Sequence, residues 1–188
     1  MTTHRVDERQ REHDADDARL DAELEQTFPA SDPLPWTQDP PHPSLYLDDF
    51  TVGRKFVTAT FAVTAEDIKA FASRFDPQPF HLDEEAARRS VFGRLAASGW
   101  HTAGMTMRLL VESAFHVTGG LIGLGGEIEW PRATYAGDVL RVESEVLEAR
   151  ASRSKPDRGI VTIRHRTLNQ RDEPVQIATL KVFVPTRA

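Results

Sequence analysis

Four strand-patterned segments follow one another in the last third of this chain: "GEIEWPRAT", "DVLRVESEVLEA", "GIVTIRHRTL" and "VQIATLKVFVP". No helical pattern separates them. A parallel pair of strands needs a crossover of roughly a dozen residues or more, so these short links demand antiparallel pairing. Two of the links, "YAGD" and "NQRDEP", carry turn chemistry. The helical patterns all lie upstream, and that segregation of strands from helices places the chain in the α+β class, with helices on one face of an antiparallel sheet.

Upstream, "KFVTATFAV" alternates Val57, Ala59, Phe61 and Val63 with smaller or polar residues and reads as one half-buried strand. Thr64 followed by Asp67 opens a helix whose apolar face is Ile68, Phe71, Ala72 and Phe75. That helix ends in "DPQPFHLDEEA", where Pro77 and Pro79 push Asp76 and Gln78 out of the α region. Asp83 then caps a short helix, "EEAARRS". A long helix runs from about Trp100 to Val117 and is closed by Gly119 and Gly120. Its apolar residues cover more than one stripe, which predicts burial on most sides.

Residues 46–188 read as a single domain and residues 1–45 as a tail. The tail holds 4 Arg and no Lys against 11 Asp and Glu, a balance of −7, whereas the remainder balances at +1. Six of the 12 prolines fall between Pro29 and Pro43, so that segment is not regular structure. It is expected as a flexible leader, or as an arm in which Phe28 and Trp36 dock on a subunit. A nearly neutral body without a basic stripe argues against nucleic acid. The longest stretch without Asp, Glu, Lys or Arg, 14 residues from Ser113 to Gly126, is glycine-broken and too short to cross a bilayer. With no cysteine there is no disulfide, thiolate site or cysteine nucleophile, and a cytoplasmic setting fits.

Taken alone, an Asp before a proline is a turn former and a histidine near a helix start is structural. Asp76 and His81, however, stand five apart in a segment restrained by two prolines, 18 residues before Gly99 in the case of His81. The run "FDPQPFHLDEEAARRSVFGRLAASGW", with "WPRATYAGDVLRVESEV" downstream, resembles the MaoC-like dehydratases, or (R)-specific enoyl-CoA hydratases. Asp76, Pro79, His81, Asp83, Phe92 and Gly99 stand at the family's positions, as do Gly137 and Asp138. Gln78 replaces the usual Asn, Ser98 the usual His, and Met107 a serine found in some relatives.

The resemblance implies a hotdog fold, a long central helix wrapped by an antiparallel β-sheet. It also implies reversible hydration of a 2-enoyl thioester, on coenzyme A or acyl carrier protein. Asp76 and His81 would activate water while the Gly99 N–H polarises the thioester carbonyl. Gln78, Phe80, Ser98, Trp100, Met105 and Leu109 are the substrate-binding candidates, the apolar ones lining an acyl tunnel. A homodimer or higher homo-oligomer, no cofactor, no metal and no membrane or nucleic-acid partner complete the expectation. Two other readings stay open: a hotdog thioesterase, which aims its water at the carbonyl, and a non-catalytic acyl-thioester binding protein.

Several residues have plainer roles available. Gly99 permits close packing, and His101, His116 and His165 suit structural positions. "GGLIGLGGE" lacks the lysine and following helix of a phosphate cradle. Arg150, Arg153, Lys155 and Arg158 cluster around a hairpin loop that they are expected to solvate, the alternative being contact with the phosphates of coenzyme A.

Overall fold

The computed structural model describes residues 44–187, so the expectations for the tail, apart from Ser44 and Leu45, lie outside the described residues. A one-turn 3-10 helix, Leu47–Asp49, precedes β1 (Lys55–Val57), β2 (Phe61–Ala62), α1 (Ala65–Phe75), α2 (Pro79–Leu82), α3 (Glu84–Arg89) and α4 (Gly99–Ser113). Then come β3 (Ile122–Glu129), β4 (Val139–Ala151), β5 (Arg158–Leu168) and β6 (Pro174–Pro185). The sheet order is β1-β4-β5-β6-β3, with β2 also on β4, and every pairing is antiparallel. The long helix α4 packs on one face of this sheet, against β4 and β6. This is the hotdog arrangement.

Period-two patterning explains the faces of the sheet. Along β4, Leu140, Val142, Ser144 and Val146 turn inward, and along β5 Val161, Ile163, His165 and Thr167 do the same. The outer face is charged. Glu145 stands opposite Arg164 and Glu143 opposite Arg166, with ion pairs at 2.6 and 3.7 Å. Such exposed pairs stabilise only slightly and mainly keep that face in water.

Five sequence expectations need correcting. "KFVTATFAV" is two short strands, because the inward phase shifts at Thr58. Phe56 and Thr58 point in and Val57 and Ala59 out, after which Phe61 and Val63 face the interior. Thr58 explains the break: its backbone N–H donates to the Val142 carbonyl at 3.0 Å while its hydroxyl accepts from the Val142 N–H at 2.9 Å. In α1 the Thr64 cap on the Asp67 N–H holds, but Phe75 is exposed; only Ile68 and Ala72 are fully buried.

The long helix stops at Ser113 rather than Val117. Phe115 leaves the helical path, its N–H donating to the Leu110 carbonyl at 2.8 Å, and its ring enters a cluster with Phe50 and Phe56 at centroid distances of 6.0 and 4.8 Å. The next residues pair with Leu45, whose N–H donates to the His116 carbonyl at 2.7 Å. The helix is also buried along one face only. His101, Thr102, Met105, Thr106, Leu109 and Leu110 form that stripe, while Trp100, Met107 and Val111 are exposed.

The first of the late strands begins earlier than expected, inside the glycine-rich segment, and ends before Trp130 and Pro131. Gly126 is required there: with φ +155° it lies so close to β6 that a Cβ would sit 2.1 Å from the Thr179 carbonyl oxygen. The "YAGD" turn forms with Gly137 at φ +87° and the Asp138 carboxylate accepting the Tyr135 N–H at 2.9 Å. Arg150 to Arg158 span the β4–β5 hairpin, as expected.

Two stability predictions follow from this packing. Gly126→Ala should cost roughly 2–4 kcal/mol in a denaturant titration, since the clash is with backbone on β6; an unchanged midpoint would refute the close approach. His165 is 1% exposed, and burial depresses its pKa from 6.5 to about 4. The native state therefore keeps it neutral while the unfolded chain takes up a proton below pH 6.5. Its contribution is intact above that pH and is lost progressively down to about pH 4, in total on the order of 3 kcal/mol. Stability curves at stepped pH should show this loss, and His165→Gln should flatten it.

Candidate active site

The segment between α1 and α4 is built to hold two side chains still. Asp76 ends α1 outside the helical region, φ −152° and ψ 69°, with its N–H still donating to the Ala72 carbonyl at 3.0 Å. Gln78, at φ −84° and ψ 141°, precedes Pro79 at the first position of the single turn α2, which carries Phe80 and His81. Asp83 then caps α3 by accepting the Ala86 N–H at 2.7 Å. Each local choice is the one proline and cap chemistry dictate.

His81 is 4% exposed, and its Nδ1 lies 2.7 Å from the carbonyl oxygen of Ala96. A carbonyl only accepts, so Nδ1 carries the proton and donates it. Nε2 is left facing the Asp76 carboxylate, 3.4 Å from Oδ2. That separation is too long for a strong direct hydrogen bond and matches two groups converging on one small ligand. The other carboxylate oxygen, Oδ1, accepts from the Gln78 side-chain amide at 2.8 Å. Phe80 lies edge-on to the imidazole at 4.6 Å, and Phe92 packs on Phe80 at 5.1 Å, walling the pair from the side.

Ser98, 1% exposed, caps α4 by accepting the Trp100 N–H at 3.2 Å. Its hydroxyl is also the largest influence holding the Asp76 carboxyl below the usual carboxylate range, with the Gln78 amide adding to it against desolvation. Gly99 begins the helix. As its first residue it has no carbonyl of the helix to donate to, and its N–H sits at the positive end of the dipole. A Cβ here would lie 2.9 Å from the Trp130 indole, so close packing also requires glycine.

These groups line one cleft of about 390 Å³. Asp76, Gln78, Phe80, His81, Ser98, Gly99 and Trp100 are thus brought together. Met105 and Leu109 are not among its lining residues: each is 4% exposed and part of the core beneath the helix. Met107 is on the exposed side of the helix and also off the cleft. His101 is buried and stacks on Phe71 at 4.7 Å, and His165 bonds Ser144 at 2.8 Å; neither lines the cleft.

Sequence reading missed the opposite wall, Trp130, Arg132, Ala133 and Thr134. Thr134 accepts the Thr102 hydroxyl at 3.0 Å and, through its carbonyl, the Ala97 N–H at 2.8 Å. Trp100 and Trp130 were the available signal, since they meet edge-to-face at 5.5 Å. Among the described residues no three His, Asp or Glu side chains converge as metal ligands, and no helix is long and apolar enough to cross a membrane.

Comparison with known proteins identifies relatives of the fold. Residues 50–178 match the family model described as FAS1-like, dehydratase domain region. A MaoC-like dehydratase from Rhodospirillum rubrum is 57% identical, superposes with a TM-score of 0.75, and is matched over 77% of this chain and 99% of that one. An (R)-hydratase from Pseudomonas aeruginosa is 25% identical with a TM-score of 0.62, over 77% of this chain and 88% of that one. An uncharacterized protein of Bacillus subtilis, YdeM, is 35% identical over 141 residues, covering 73% of this chain and 97% of the relative. The chain belongs to the MaoC-like dehydratase and hydratase family of the hotdog fold.

Proposed function

We propose that this protein adds water reversibly across the double bond of a 2-enoyl thioester, giving the 3-hydroxyacyl thioester, with coenzyme A or acyl carrier protein as the thiol. The observation that carries this reading is the 3.4 Å approach of His81 Nε2 to Asp76 Oδ2 in a cleft that also holds the Gly99 N–H. A water between the two side chains donates one hydrogen to Oδ2 and gives the other proton to Nε2. Its oxygen bonds to the β carbon as the alkene electrons move toward the thioester oxygen. The Gly99 N–H stabilises the charge that develops there, and the α carbon takes the proton that Nε2 received, which restores the neutral imidazole while the water's other hydrogen stays on the new hydroxyl. Because Nδ1 is committed to Ala96, proton exchange with the cleft runs through Nε2 alone.

Gln78 and Ser98 support the same chemistry by different means from the residues usual in the family. Both stabilise the Asp76 anion, so the carboxylate is ready to hold water at neutral pH. The exposed stripe of Trp100, Met107 and Val111 on α4 favours a homodimer that covers it. A cytoplasmic setting is part of the proposal.

Asp76→Asn and His81→Ala should each lower turnover of a short 2-enoyl thioester by about a thousandfold, followed by loss of the alkene absorbance; Asp76→Asn should keep a thermal midpoint near the parent's, and His81→Ala should lower it because it also removes the buried bond to Ala96. Full activity in a folded Asp76→Asn protein contradicts the reading. Ser98→Ala removes the main stabiliser of the carboxylate, so Asp76 should protonate at higher pH. The acid limb of kcat/KM should accordingly move upward in pH; an unmoved limb would show that Asp76 does not set it.

A further inference from the structure

Resting on that hydratase reading, the geometry points to Arg132 as a specificity-determining residue that recognises an anionic group of the substrate, a carboxylate or a phosphate. Arg132 lines the same cleft as Asp76 and His81, and among the cleft's lining residues it is the only Lys or Arg. Aromatic side chains, Phe80, Phe92, Trp100 and Trp130, make up much of the rest. A guanidinium set among such surfaces binds an anionic oxygen pair through its planar fork.

The backbone carrying Arg132 is held on both sides. The Trp130 indole N–H donates to Gln176 at 3.0 Å, and the Thr134 carbonyl accepts the Ala97 N–H at 2.8 Å. The side chain itself is half exposed and loosely engaged: Glu173 lies 3.8 Å away. That carboxylate is already claimed by Asn169 at 2.9 Å and Arg171 at 2.8 Å, both on its Oε2. At that distance Glu173 makes no hydrogen bond to Arg132, whose donors it leaves available. Met105 and Leu109 are packed as core, so the cleft does not continue beneath α4 along them as an apolar tunnel. An aromatic cleft with a cation in its wall suits a short acyl group or thiol arm carrying negative charge better than a long neutral chain.

The test compares three 2-enoyl esters: a neutral pantetheine thioester, the same acyl group on coenzyme A, and a pantetheine thioester whose acyl chain ends in a carboxylate. For Arg132→Gln, the kcat/KM ratio of an anionic ester to the neutral one should fall roughly ten- to a hundredfold relative to the parent. A fall confined to the acyl carboxylate identifies that group as the ligand, and a fall confined to the coenzyme A ester identifies its phosphates. Arg132→Lys should recover part of the ratio, and Glu173→Gln should leave it at the parental value. Unmoved ratios, or an equal loss on all esters shared by Glu173→Gln, overturn the inference and make Arg132 a strut. If the parent turns over none of the three, the hydratase reading fails separately. Anion recognition is then decided by calorimetric affinities of the same esters for parent and Arg132→Gln, where equal affinities refute it.

Discussion

One hydrogen bond sets the terms for the site: the donation from His81 Nδ1 to the Ala96 carbonyl, 2.7 Å long and buried. It chooses the imidazole tautomer and leaves Nε2 as the nitrogen turned to Asp76. It also joins the one-turn α2 to the extended stretch that leads into α4. That stretch is in turn bonded to the wall opposite, by Ala97 to Thr134 and by an isolated bridge between Ala96 and Tyr135. Three separate pieces of chain are thereby locked around one small volume. Catalytic groups misplaced by about 1 Å can lose on the order of a hundredfold in rate, and a site in a loop needs such bracing to compete with one built on a strand.

The sheet and helix supply the platform for this bracing. A stripe of hydroxyls, Thr102 to Thr134 and Thr106 to Thr167, ties α4 to the chain beneath it at 3.0 and 2.7 Å. These bonds satisfy polar groups that would otherwise be costly in the interior, and they fix the helix in rotation as well as position. Since Gly99 is the first residue of that helix, its N–H inherits the same fixity. The departure of Ser98 from the family's usual histidine fits here: a small hydroxyl can cap the helix and influence Asp76 together.

Much of this was legible in the amino-acid sequence where local rules and tertiary packing agree. Proline at 77 and 79, the Thr64 and Asp83 caps, and the period-two strands from Val139 onward each form as their chemistry dictates. Misreadings arose where a distant partner overrode the local pattern. Phe115 breaks a helix that could have continued, because the aromatic cluster with Phe50 and Phe56 gains more from its ring. Thr58 shifts the phase of a strand by bonding Val142, 84 positions away. The spacing of Met105 and Leu109 suits a tunnel lining and equally suits the core stripe they occupy. The Arg132 wall was not legible at all, since its relation to Asp76 depends on how β3 leaves the sheet.

The central claim is that the water held by Asp76 and His81 is aimed at the β carbon and not at the thioester carbonyl. Incubating the protein with a short 2-enoyl thioester in oxygen-18 water, and locating the label by mass spectrometry, tests this directly. The account predicts label in the 3-hydroxyl of an intact thioester. Label in a free carboxylate, with stoichiometric release of thiol, would contradict it.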